Sequence, residues 1–231
     1  MIPLRDDNPT TLVPWVTVLL IAANVLVFLY ELSLGPGLEP FLFAYGAIPA
    51  RLFEANPQLE QAVGAVVPSV TVFTSMFLHG GVLHVVGNML YLWIFGNNIE
   101  DALGHVRFLL FYLISGVAAA YSHAFIDPNS TVPMIGASGA VSGVLGAYLV
   151  LFPRARVLAL VPFGFMMEMI RVPALIVLGF WFVMQFLYGL FSLGAPGGGG
   201  VAWFAHVGGF LAGVVLIRLL VRRDFRPQFR S

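Results

Sequence analysis

The stretch Pro133-Met134-Ile135-Gly136-Ala137-Ser138-Gly139-Ala140-Val141-Ser142-Gly143 lies in a run with no charged residue from Pro128 to Pro153. Such a run enters a bilayer core, where a polar side chain is costly and marks a candidate functional site. Two further apolar runs carry His206 and the pair His84 and Asn88. Arg154, Arg222 and Glu100 follow Ser138, His206 and His84 by sixteen residues each. With the helical rise, each side chain then lies roughly 24 Å from its charged end. If those ends share one side of the bilayer, the three side chains meet at one depth, nearer the opposite face. A serine, a histidine and extra hydrogen-bonding groups at one level suit a buried hydrolase site.

Composition points the same way. Only 10% of the 231 residues are charged, against about 25% in a soluble domain, and the mean hydropathy is +0.93. The chain therefore reads as an integral membrane protein. It has no Cys, which excludes disulfides, thiol catalysis and cysteine metal sites. Net charge is zero, and no basic patch points to nucleic acid.

Apolar runs of about 20 residues mark helices that cross the hydrocarbon core. They fall near 12–32, 80–98, 108–125, 136–152, 172–193 and 203–220. The fold class expected is all-α: six transmembrane helices in a single membrane domain, 1–231. The first run is too long for a signal-peptide core and lacks a clear cleavage site, so it reads as a retained helix. Ten arginines fall at one face and only Arg51 at the other, so both termini are expected to be cytoplasmic. The absence of a visible transit peptide points to a bacterial plasma membrane. The long first connection, 35–79, is partly apolar and is expected to lie in the interface. The glycine-rich Gly194–Gly200 loop joins spans five and six above His206, as either a cap over a site or a plain linker.

Each candidate residue has a structural alternative. Gly136, Ser138, Gly139, Ser142, Gly143 and Gly146 could serve close helix packing alone. However, the helix after Pro133 should begin near Ser138, whose first-turn N–H groups are free to stabilise an oxyanion. Gly209 and Gly213 form a packing face; His206, three residues before Gly209, points with it toward a neighbouring helix. His84 and Asn88 share one face of the second span; they either tie helices together or donate to an oxyanion. His79 reads as structural, and His105 and His123 as interface residues. A metal centre is disfavoured, because the three relevant spans carry no carboxylate at that depth and no His-Glu-x-x-His motif occurs. No metal and no cofactor is expected. A transporter should show broken helices in matching halves or membrane carboxylates for coupling, and neither is visible in the sequence.

Three motifs in this order, Gly-x-Ser-Gly at Gly136–Gly139, His-x-x-x-Asn at His84–Asn88 and Ala-His-x-x-Gly-x-x-x-Gly at Ala205–Gly213, resemble those of the rhomboid intramembrane serine proteases. The resemblance extends from the first span to the sixth. It implies that Ser138 is the nucleophile and His206 the general base. It also implies that His84, Asn88 and the Ser138 backbone N–H line an oxyanion hole. By the same resemblance, the fifth helix helps to admit substrate and the loop before the sixth caps the site. The sequence departs from better-known bacterial members in two places. The first connection has no Trp-Arg pair, its only Arg being Arg51, and Ser142 stands where some members stack an aromatic ring on the histidine.

The expected function is a membrane endopeptidase with a Ser-His dyad and transmembrane proteins as substrates. The alternative is a silent scaffold of the same fold that binds client helices. Homo-oligomers stay open, since the glycine faces could pack within or between chains.

Overall fold

A computed structural model describes residues 1–53, 66–163, 166–193 and 201–225. The expected capping loop at 194–200, and Glu54, Glu60, Arg226 and Arg230, lie outside the described residues.

Long apolar runs form helices because a backbone in lipid must satisfy its hydrogen bonds internally. Among the described residues, four helices are long and apolar enough to cross a membrane: α1 (Trp15–Ser33), α6 (His105–Ile126), α8 (Ala174–Ser192) and α9 (Trp203–Leu220). A fifth arises if the bent pair Pro68–Phe77 and α5 (Val82–Leu103) is one span, with an 83° bend between its halves. Short helices α2 (Leu38–Tyr45), α3 (Pro49–Phe53) and α4 (Pro68–Thr74) occupy the first connection. Each expected run coincides with a helix, but the one at 136–152 forms only the 14-residue α7 (Ser138–Leu151). That length covers about 21 Å, short of the ~30 Å core. Every α7 residue from Gly139 to Tyr148 is buried, so α7 is the central helix of the bundle, shielded from lipid on all sides.

Helix α7 packs most closely on α9. A Cβ built on Gly209 or Gly213 would run into the backbone carbonyl of Gly139 or Gly143, and one on Gly146 into that of Phe210. Small residues let the two backbones touch, and this contact sets Ser138 beside His206.

Polar groups tie the opposite end. Glu100, fully buried in α5, accepts hydrogen bonds from the Val16 and Thr17 N–H groups at 2.9 and 2.8 Å and from Thr17 Oγ1 at 2.7 Å. Asp101 accepts from Thr11 N–H, Leu12 N–H and Thr11 Oγ1. Glu100 thus satisfies free N–H groups in the first turn of α1 and complements its dipole, while Asp101 holds the segment just before that helix.

The all-α expectation missed a three-stranded antiparallel sheet of order β1 (Ile2–Asp6), β2 (Arg156–Phe163) and β3 (Met166–Pro173). In β2 the alternate residues Val157 and Ala159 are fully buried, the period of a half-buried strand. β1 reaches it from the other end of the sequence, a pairing that no local pattern announces. The Tyr148 hydroxyl at the far end of α7 donates to Asp6 in β1 at 2.6 Å, while burial pushes the Asp6 carboxyl above its ordinary range. Asn8 and Phe225 line one cavity at this end, so the first and last described segments meet here.

Gly209→Ala is expected to destabilise the protein by about 1–3 kcal/mol through overpacking. Gly179→Ala, where an added Cβ meets nothing within 4 Å, should change stability by less than about 1 kcal/mol. Unfolding midpoints in detergent measure both.

Candidate active site

The segment before α7 is clamped on two sides. Met134 pairs with Ala47 through both backbone hydrogen bonds, at 2.8 and 3.1 Å, and the Gly136 N–H donates to the Ser75 carbonyl at 2.8 Å. Gly136 takes φ +120°, and a Cβ there would lie 2.7 Å from His84 Nε2. Only glycine relieves both the backbone conformation and the close approach. The turn ends at Ala137, and α7 begins with Ser138 itself. The first α-helical bond here runs from the Val141 N–H to the Ala137 carbonyl at 2.9 Å, which leaves the N–H groups of Ser138, Gly139 and Ala140 without intrahelical partners.

Ser138 Oγ and His206 Nε2 are 2.8 Å apart, within range for proton transfer. On the other side of the ring, His206 Nδ1 lies 2.7 Å from Gln185 Oε1 in α8. Two indoles flank the imidazole, Trp181 at a centroid distance of 6.0 Å with a 37° tilt and Trp203 edge-on at 6.2 Å. Ser142 Oγ donates to the Ser138 carbonyl at 2.6 Å, so its hydroxyl is engaged within α7.

His84 and Asn88 face the same cavity as Ser138 and His206, a space of about 380 Å³. The Gly80 N–H points at His84 Nδ1 over a long 3.4 Å, the arrangement that leaves the Nε2–H as donor. Asn88 Nδ2 lies 3.0 Å from His79 Nε2. The His79 backbone N–H in turn donates to the buried Glu31 carboxylate at 3.1 and 3.2 Å. His79 therefore orients Asn88 from outside the cavity, in keeping with its structural reading. His105 Nδ1 contacts Glu100 Oε1 at 2.6 Å, at the opposite end of α5. Among the described residues, no three His, Asp or Glu side chains gather as metal ligands would.

The Rhomboid domain family model matches residues 69–223. The chain belongs to the rhomboid family. It is 28% identical over 234 aligned residues to RHOMBOID-like protein 1 of Arabidopsis thaliana, an alignment that takes in 94% of this chain and 55% of the relative. It is 34% identical over 137 residues to Rhomboid protease GluP of Bacillus subtilis (59% of this chain, 24% of the relative). A 34% match over 100 residues to the mitochondrial Rhomboid protein 1 of Saccharomyces cerevisiae takes in 42% of this chain and 29% of that one. The chain thus spans about half, or less, of the length of the curated relatives it matches.

This rhomboid meets its two sequence departures with different contacts. Ser142 offers no ring to the histidine, and Trp181 and Trp203 stand there instead. Without a Trp-Arg pair, the first connection is held by the Ala47–Met134 bridge, by Ala50 N–H to the Ser130 carbonyl at 3.0 Å, and by Phe53 against Tyr121 and Phe125. Arg51, 4% exposed, donates to the Val66 carbonyl at 3.0 Å. Sequence reasoning overlooked Gln185, although it is the one amide in an otherwise apolar helix, a signal of the same kind as His206. Glu31, near the end of α1, is buried.

Gly136→Ala should cost about 1–3 kcal/mol of local strain and displace His84. The expected result is labelling of Ser138 by a fluorophosphonate probe at least about tenfold slower than in the unsubstituted protein, the equivalent of about 1.4 kcal/mol.

Proposed function

We propose that this rhomboid is an intramembrane serine endopeptidase that cleaves transmembrane proteins in or near their membrane segments. The observation that carries this reading is the 2.8 Å contact between Ser138 Oγ and His206 Nε2 at the start of a buried helix. His206 takes the Ser138 proton as Oγ attacks the substrate carbonyl. The tetrahedral oxyanion is met by the Ser138 N–H and by His84 and Asn88. His206 returns the proton to the leaving amine, and an acyl-enzyme remains on Ser138. Water then attacks it, with His206 again as the base. A second cavity of about 440 Å³ shares His84 with the site and is lined by His123, Asp127 and Ser130, a polar route for that water. No cofactor enters the scheme.

The arginine-rich end, with both termini, faces the cytoplasm by the positive-inside bias, and the membrane is a bacterial plasma membrane. The site then opens toward the outer face. A substrate helix hides its peptide carbonyls in its own hydrogen bonds, so it must unwind before Ser138 can reach one.

Purified protein in detergent, given a labelled transmembrane substrate, tests this reading. Ser138→Ala and His206→Ala should abolish cleavage, while Ser142→Ala retains it. His84→Ala or Asn88→Ala should lower kcat by about 100-fold, the scale of a lost oxyanion donor. Cleavage that survives in Ser138→Ala would refute the assignment; a wild type inert across several substrates would favour the client-binding scaffold. Substrates with Gly or Pro near the scissile bond should be cut faster than a poly-leucine helix. Equal rates would overturn the unwinding requirement.

A further inference from the structure

The Ser138–His206 contact leaves one requirement unmet, because a general base must present an unprotonated Nε2 to the serine. Which nitrogen of a neutral imidazole carries the proton is set by the hydrogen bond that the other nitrogen makes. The elements packed around His206 supply few partners for Nδ1. The titratable groups facing it are His84 from α5 and His123 from α6, and neither is an acid. α7 presents Ser138, which faces Nε2, and Ser142, whose hydroxyl is committed to the Ser138 carbonyl. α8 presents Gln185, 9% exposed, with Oε1 2.7 Å from Nδ1.

We propose that Gln185 is the third member of this site, a positioning residue whose Oε1 accepts the His206 Nδ1–H and so holds the ring in the tautomer whose Nε2 is free for the Ser138 proton. The proposal rests on the reading of Ser138 and His206 as nucleophile and base. An amide in an apolar helix is costly unless it is hydrogen-bonded, and this contact gives Gln185 its reason to be buried. Trp181, one helical turn before Gln185, lies over the same imidazole, so α8 fixes both the rotation and the tautomer of a residue on α9. Gln185 is neutral. It selects the tautomer without adding a charge beside the imidazolium that forms during attack, unlike the carboxylate of a Ser-His-Asp triad. If its amide were reversed, the Nε2–H₂ group of Gln185 would donate to Nδ1. His206 would then carry its own proton on Nε2, toward the serine, and could not act as base.

Gln185→Leu and Gln185→Glu separate these arrangements, since leucine can neither donate nor accept and a carboxylate can only accept. The readouts are the pH–rate profile of substrate cleavage, with kcat and KM separated, and the ¹⁵N NMR tautomer of labelled His206. Gln185→Leu is expected to lower kcat by about 100-fold, the scale of general-base catalysis, with KM little changed and the NMR signal moved from the Nδ1–H tautomer to a mixture. Gln185→Glu should keep the Nδ1–H tautomer and stay within about tenfold of wild-type kcat. Its acid limb should move to higher pH by about one unit, because a neighbouring carboxylate favours the charged ring. A Gln185→Leu protein with wild-type kcat, pH profile and tautomer would overturn the proposal. If Gln185→Leu does not fold, Gln185→Glu decides alone: loss of the Nδ1–H tautomer, or an unmoved acid limb, overturns it. Ser138→Ala is run in parallel. Cleavage by that variant would remove the nucleophile reading, while the tautomer measurement would still judge Gln185 by itself.

Discussion

Everything at the site hangs on the backbone contact between α7 and α9. Gly209 and Gly213 lie against the carbonyls of Gly139 and Gly143, with no room for even a methyl group between them. In lipid no hydrophobic force drives two helices together, so close van der Waals contact between small residues must do it. That contact brings the first residue of α7 to within a hydrogen bond of the first turn of α9. A looser pairing, by a single Cβ at either glycine pair, would separate Ser138 Oγ from His206 Nε2. The same closeness explains why α7 is short. Enclosed by its neighbours, it need not reach either membrane surface, and its N-terminus starts below one of them.

In a bundle this apolar, several buried carboxyl and amide groups are paired across helices. Glu100 and Asp101 are buried against the N-terminus of α1, Glu31 against the His79 N–H, and Gln185 against His206. Each sits where an unpaired partner would be costly, and together they tie α5 to α1 and α8 to α9. The polar residues of the site belong to the same economy. His84, Asn88 and His79 form a connected group on and beside α5, and its link to Glu31 extends the group to α1. The helix that carries Asn88 is thereby held at both ends to α1, by Glu100 at one and through His79 at the other.

Membership of the rhomboid family describes the frame; the contacts around His206 describe this particular chain. With Ser142 in place of an aromatic ring, the imidazole is held by Trp181 and Gln185 from α8 and by Trp203 from the start of α9. The first connection is likewise held by backbone pairing of Ala47 with Met134, two residues before Gly136. The turn that presents Ser138 is therefore braced by the first connection as well as by α4 and the residues that follow it.

Much of this was legible in the sequence. The apolar runs determined where the helices lie to within a few residues, because a backbone in lipid has little choice but to be helical. The three motifs carry polar side chains that the fold brings to one cavity, and in lipid a polar group without a partner is costly. Gln185 carried the same signal and was passed over, since a lone amide in a span does not name its partner. Three features were decided only by the tertiary structure. The sheet needed β1 to meet β2 from across the sequence, and its alternation was too short to be told from a loop. The burial of Glu31 depended on where His79 falls, after a connection whose length hides the approach. The side of His206 that faces Gln185 depended on how α8 packs on α9. Local sequence reports what a residue prefers, whereas a partner on another helix exists only once the chain has folded.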